Sequence, residues 1–294
     1  MIALLERLAR GDILLSDGAW GTFLHAKGLA PGQCPEEWNI SHRKEVGEIA
    51  GGYIDAGADI ILTNSFGGSK FKLAHYGYAE NVTIFNRAAA EISREAAGSD
   101  HYVLGSIGPT GIILMMGEVS KDELSAAFRE QAMALEAGGV NGICIETMSA
   151  LDEAMIAVSA AKENTNCPII CTFTFERTKQ GEYRTMMGIS PVEMARSLID
   201  SGVDIIGTNC GNGIKRMIDI VRELRTVDTA IPILVHANAG APVVKDGHTV
   251  FPETPEEMSA LVPSLIDAGA AIIGGCCGTT PEHISAMAGI LRNQ

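Results

Sequence analysis

The chain repeats one unit: a short unbroken apolar run, then a polar or glycine-rich stretch, then a longer segment with helical spacing. Eight such runs occur, at residues 13–16, 59–63, 102–106, 142–146, 168–172, 204–208, 232–236 and 271–275. None alternates with polar residues, so each reads as a strand buried on both faces, the condition of a parallel sheet covered by helices. Four intervening segments end alike, at Asp55-Ala56-Gly57-Ala58, Glu136-Ala137-Gly138-Gly139, Asp200-Ser201-Gly202-Val203 and Asp267-Ala268-Gly269-Ala270. Glycine just past a helix accepts the left-handed cap, so these are expected helix stops that feed a strand. Helix starts are expected at Ser190-Pro191, Thr254-Pro255 and Thr280-Pro281, where a hydroxyl cap precedes a first-turn proline.

Eight βα units in 294 residues favour a closed (β/α)8 TIM barrel over an open doubly wound sheet. No G-x-G-x-x-G follows a strand, which weakens a dinucleotide-binding reading. Nothing marks a boundary, so residues 1–294 are expected to form a single α/β domain. Aromatics are only 5% of a chain that is 46% hydrophobic, so the interior must be filled by aliphatic side chains. The expected excursions from the barrel are 20–41, 108–121 and 176–190.

A net charge of -14 argues against a nucleic-acid partner, which needs clustered Lys and Arg. No apolar run approaches the ~18 residues of a membrane span. The first ten residues read as an amphipathic turn and not a signal peptide, so a cytoplasmic protein without a membrane partner is expected. Seven cysteines are an odd number in a chain large enough to fold without staples, which disfavours a disulfide framework.

In such a barrel, chemistry collects at the C-terminal ends of the strands. Those ends carry Asp17, Thr63-Asn64, Ser106, Glu146-Thr147, Asn209-Cys210, His236 with Asn238, and Cys276-Cys277. Burying so many polar groups at one rim is unfavourable unless they are used. Cys210 ends the sixth strand and Cys276 and Cys277 end the eighth, so three sulfurs can converge across one intervening strand. Three thiolates are a set that Zn(II) selects, and they leave a fourth position open for chemistry. Free cysteine is also a common core residue, the plainer reading that suits Cys144 and Cys171. Cys34 and Cys167 show no metal spacing.

Asp17 and Glu146 are candidates for the ammonium of an amino-acid ligand, or for caps of the helices that follow. Asn209 and Asn238 could donate to a carboxylate, complete a metal shell, or hold irregular loops. His236 reads equally as structural or functional. Five consecutive apolar residues, 112–116, suit either a contact surface for a partner or a plug over the barrel mouth.

The strings Asp17-Gly18-Ala19-Trp20-Gly21-Thr22, Thr63-Asn64-Ser65-Phe66, Gly207-Thr208-Asn209-Cys210, Asn238-Ala239-Gly240 and Gly274-Gly275-Cys276-Cys277-Gly278-Thr279-Thr280-Pro281-Glu282-His283 resemble those of homocysteine S-methyltransferases. The resemblance runs nearly end to end, and within the family it is most similar to the homocysteine-binding barrel of cobalamin-dependent methionine synthase. It implies zinc on Cys210, Cys276 and Cys277, and homocysteine near Asp17, Gly18, Thr63, Ser106 and Glu146. It also implies Asn238 as a fourth zinc ligand displaced by substrate. No tightly bound organic cofactor is expected.

The sequence stops soon after the double-cysteine string, without folate- or cobalamin-binding modules. The expected methyl source is therefore a separate corrinoid protein or a small onium donor. The aromatic that the betaine-using branch carries after the Thr63 string is Gly67 here, although Trp20, Trp38 and Phe66 could supply an aromatic cage. The expected reaction methylates homocysteine, or another thiol, to methionine in the homocysteine case. Two alternatives are a demethylating enzyme that passes methyl groups from a small methylated compound to a corrinoid protein, and a non-catalytic metal-binding barrel.

Overall fold

In the computed structural model, which describes residues 2–245 and 248–292, the eight runs become β1 (Leu14–Leu15), β2 (Ile60–Leu62), β3 (Tyr102–Ile107), β4 (Gly142–Met148), β5 (Ile169–Phe173), β6 (Ile205–Gly213), β7 (Ile233–Asn238) and β8 (Ile272–Gly275). All pair in parallel, in the order β1-β8-β7-β6-β5-β4-β3-β2. One bridge, Ser16 to Ile60, closes the ring between β1 and β2, beside a 2.7 Å bond from the Asp59 N–H to the Leu15 carbonyl. The fold is thus the expected (β/α)8 barrel. Residues 1, 246, 247, 293 and 294 of the expected 1–294 unit lie outside the described residues.

Strand alternation sorts the side chains into two cores. Leu14, Ile60, Leu62, Tyr102, Leu104, Cys144, Ile170, Ile205, Leu234 and Ile272 fill the barrel interior. Their neighbours Ile61, Val103, Ile143, Ile145, Ile206, Val235 and Ile273 face outward into the layer packed against the helices. The helix Leu4–Ala9 closes the N-terminal end, with Leu4 and Leu8 joined to the interior cluster. Cys144 and Cys171 are fully buried in these two layers, as their apolar surroundings in the sequence suggest.

Continuing five of the interior rows by two residues toward the C-terminal end turns them polar: Leu14 to Ser16, Leu104 to Ser106, Cys144 to Glu146, Ile170 to Thr172, and Leu234 to His236 and then Asn238. Because side chains repeat with period 2, these polar groups point into the same space as the apolar ones below them. An apolar floor follows from this alternation, while Asp17, Thr63 and Cys210 reach the mouth from the alternate positions.

The connections obey the local signals. Gly57 and Gly269 follow helices with φ of 100° and 111°, where a side chain would be strained. Ser190, Thr254 and Thr280 each cap a helix with proline in its first turn, and all three form reciprocal capping boxes. The first two boxes close on Glu193 and Glu257, the third on His283.

The three expected excursions are present. Residues 20–41 hold the short helices Gly21–Ala26 and Trp38–Ser41, 108–121 hold a 3-10 turn at Leu114–Met116, and 176–190 hold a hairpin of Glu176–Arg177 with Tyr183–Arg184. A fourth excursion, after β7, was not expected: a hairpin pairing Val243–Lys245 with His248–Val250.

Candidate active site and metal centre

At the polar end of the barrel lies a cavity of about 400 Å3, lined among others by Asp17, Thr63, Ser106, Glu146, Cys210, His236, Cys276 and Cys277. The three cysteine sulfurs lie within 4.8 Å of one another, with Cys210 and Cys277 3.9 Å apart. Tetrahedral Zn–S bonds of about 2.3 Å set sulfurs about 3.8 Å apart, so the spacing suits that ion. No other group of three or more His, Cys, Asp or Glu ligand atoms gathers in this way among the described residues.

Two features position the sulfurs. Cys276 continues the interior row of β8 past Gly274. Cys210 would face the helices if β6 simply alternated, but its backbone is left-handed, with φ 59°, and the register between β6 and β7 is irregular from Asn209 to Gly213. A non-glycine residue held in that region stores about 1–2 kcal/mol, a cost that persists only where the surroundings over-determine it.

The donor set fits a metal on two grounds. Cys276 and Cys277 donate sulfur hydrogen bonds that hold the Cys210 thiol well below its ordinary range, while their own thiols rise beside the resulting negative charge. Three sulfurs this close cannot all ionise without a cation among them. The second ground is Asn238, 2% exposed, whose buried Oδ1 has no hydrogen-bond partner among the described residues. A buried, unpaired amide oxygen is unfavourable by about 1–3 kcal/mol, and a metal ligand bond would satisfy it.

Two carboxylates, Asp17 and Glu146, line the same cavity. Glu146 accepts from the Ser106 hydroxyl through one oxygen and from Asn209 Nδ2 at 3.4 Å through the other. Asp17 accepts from the Leu62 N–H at 2.7 Å, the Trp20 indole N–H at 2.8 Å and the Ser16 hydroxyl at 3.2 Å. Burial raises the pKa of each to about 7, and for Glu146 the proximity of Asp17 adds to the shift. Two buried carboxylates that resist ionising are stabilised as anions by a ligand cation between them.

The remaining expected residues support this wall. Thr63 Oγ1 contacts Ser65 Oγ at 2.6 Å and accepts from the Ser106 N–H at 3.0 Å. Gly18 lies where a Cβ would meet Thr279 Oγ1 at 2.7 Å and Tyr53 at 2.9 Å, so only glycine fits. Asn209 is turned to Glu146, Thr147 and Thr172 rather than to the cavity. Sequence reasoning did not single out Trp20 as a donor to Asp17. It also missed Thr279, whose Oγ1 accepts from the Ala19 N–H at 3.1 Å and donates to the Cys276 carbonyl at 2.7 Å. The first of these bonds joins residues 260 apart in the chain, the second residues only three apart.

His236 lines the cavity, and its Nε2 is buried without a hydrogen-bond partner among the described residues. Burial holds its pKa down at about 4, so the ring is neutral. Replacing an orphaned polar group by an apolar one of similar size removes a desolvation penalty. His236→Leu is therefore expected to leave the ligand-free protein as stable as the parent, or more stable by about 1 kcal/mol, in urea unfolding. A loss of more than about 2 kcal/mol would show that the ring is a structural element after all.

The Homocysteine S-methyltransferase family profile matches residues 14–291. The chain is 31% identical to a methionine synthase of Mycobacterium leprae (strain TN) over 97% of its own length, and 31% identical to that of Mycobacterium tuberculosis (strain ATCC 25618 / H37Rv) over 96%. It spans about a quarter of each of those relatives. Among solved structures it resembles the homocysteine methyltransferase MmuM from Escherichia coli in its metallated form, with TM-score 0.78 and 24% identity over 97% of this chain and 98% of that one. The profile covers nearly the whole barrel, the three cysteines included, and the chain belongs to the homocysteine S-methyltransferase family.

Proposed function

We propose that the protein is a zinc-dependent methyltransferase that methylates the thiol of homocysteine to give methionine. The observation that carries this reading is the presence, in one cavity, of a three-sulfur cluster and two buried carboxylates of raised pKa. Cys210, Cys276 and Cys277 would hold zinc, with the orphaned Asn238 Oδ1 as the ligand that substrate replaces. Bound zinc would lower the pKa of a substrate thiol so that the thiolate exists at neutral pH.

The chain's own residues do the rest. Asp17 and Glu146 bind the ammonium of the amino acid and so fix the reach of its thiol toward the cysteines. Ser106 and Asn209 keep Glu146 in place, and the Leu62 N–H, Trp20 and Ser16 keep Asp17 in place. The apolar floor below excludes water from the buried end of the cavity. Thiolate attack on an electrophilic methyl group forms the S–CH3 bond, breaks the donor's bond to that methyl, and leaves the electron pair with the donor.

The methyl source reads best as a separate carrier, a corrinoid protein. Loops after β3, β5 and β7, all at the cavity end, expose Met115, Met186 and Val244 at 86%, 84% and 79%. Surface of this kind suits docking, since methionine repacks against different partners. Leu114, by contrast, packs against the core, so the 112–116 segment is part plug and part surface.

The test is methyl transfer to homocysteine from free methylcobalamin, from a methylated corrinoid protein, and from betaine and S-methylmethionine. Methionine formed from the corrinoid donors is the expected outcome. With Ile113, Met115 and Met116 changed to serine, transfer from the carrier should fall about tenfold or more while transfer from free methylcobalamin holds. Turnover with betaine or S-methylmethionine alone would replace the carrier by an onium donor. No methionine from any donor, with methyl transfer to a corrinoid protein instead, would assign the reverse task.

A further inference from the structure

Thr147 and Cys210 are the only non-glycine residues with positive φ among the described residues, at 61° and 59°. They lie toward the C-terminal ends of β4 and β6, on either side of β5, and each strand loses register with a neighbour at that point. Thr147 follows the carboxylate proposed to bind the substrate ammonium. Cys210 is one of the three clustered sulfurs. A β-branched residue in this region is a genuine exception and needs a specific restraint.

One side chain supplies it. Asn209, fully buried, reaches across the end of β5. Its Oδ1 accepts from the Thr147 N–H at 2.9 Å and from Thr172 Oγ1 at 2.8 Å. Its Nδ2 donates to Thr147 Oγ1 at 2.7 Å and to Glu146 Oε2 at 3.4 Å. An asparagine amide has two donors and two acceptor sites, and all four are used within the protein. Asn209 therefore has no capacity left for a ligand, and its own backbone leads directly into Cys210.

We infer that Asn209 is a positioning residue that clamps the Glu146-Thr147 turn to the Cys210 turn, and so fixes the distance between the ammonium anchor and the sulfur cluster. The inference rests on the homocysteine reading above and deepens it. A ligand that carries its ammonium and its thiol on one short chain can engage both ends only if that span is held. Misplacing either end by about an ångström can reduce productive binding about a hundredfold.

The test is a double-mutant cycle between Asn209→Ala and Thr147→Gly. Glycine adopts the left-handed turn without help, so it removes the need for the clamp. The readouts are metal content, homocysteine affinity by calorimetry, and the absorption spectrum of cobalt(II) substituted into the cluster.

Asn209→Ala should keep about one metal per chain, change the cobalt spectrum as Cys210 shifts, and weaken homocysteine about 10- to 100-fold. With Thr147→Gly already in place, the same change should cost under about threefold, because the two residues are coupled. Wild-type affinity in Asn209→Ala, or an equal loss in both backgrounds, would overturn the clamp. So would an affinity loss that merely follows the unfolded fraction. A wild-type protein that does not bind homocysteine would sink the functional reading, and the cobalt spectrum would then judge the clamp by itself. An unchanged spectrum in Asn209→Ala would reject it.

Discussion

Cys276→Ala is expected to empty the metal site, taking zinc from about one per chain to a small fraction of that, while leaving the barrel folded. Two thiolates and one amide oxygen are a poor set for Zn(II), whose binding depends on deprotonated sulfur and on all ligands being in place at once. Cys276 is only half-buried, and the hydrophobic clusters that fill the barrel do not include it. Truncation there should therefore remove little core packing. Atomic absorption on the purified variant gives the metal, and circular dichroism with thermal unfolding gives the fold. Full zinc occupancy in the variant would remove this residue from the ligand set. An empty site in an unfolded chain would show that the cluster holds the barrel together, as a structural zinc does.

Several parts of this architecture are visible in the amino acids because they depend on local pattern. The eight apolar runs needed only strand periodicity and length, and the strands fall on them to within a few residues. The glycine stops and the proline-led helix starts needed only the backbone preferences of single residues. Convergence of Cys210 with Cys276 and Cys277 followed from barrel order, since β6 and β8 flank β7. What alternation would not have given is that Cys210 turns inward, which depends on its left-handed backbone.

The less legible features depend on contacts between segments distant in sequence. The Asp17 bond to the Leu62 N–H links residues 45 apart, and the Asn209 bonds to Glu146 and Thr147 link residues 63 and 62 apart. Which side chain meets which backbone group there is set by inter-strand register, and a one-residue slip would exchange faces. The hairpin after β7 went unexpected for a simpler reason. Its two strands are only three residues each and belong to no barrel run.

Glu146→Gln should weaken homocysteine by about 2–4 kcal/mol, roughly 30- to 1000-fold, because truncating one partner of a buried charge pair leaves the other unpaired. Metal content should not change, since Glu146 is no part of the sulfur cluster. The pH dependence gives a second, independent reading. Asp17 and Glu146 are raised from ordinary values of 3.8 and 4.5 to about 7, so burial favours their protonated forms. The stability they lend the ligand-free protein is full below about pH 4 and is lost as pH rises through about 7.

A bound ammonium reverses the preference, because it pairs with the ionised form. Methionine, which carries the ammonium but no ionisable thiol, should therefore bind more tightly at pH 8 than at pH 6, by about tenfold for each carboxylate that must ionise. Calorimetry in buffers of different ionisation enthalpy should show protons released on binding near pH 7. Glu146→Gln should reduce that release to what Asp17 alone contributes. Homocysteine affinity within about threefold of the parent in this variant would detach Glu146 from the ammonium. Methionine affinity that stays flat from pH 6 to 8 would place the ammonium away from both carboxylates.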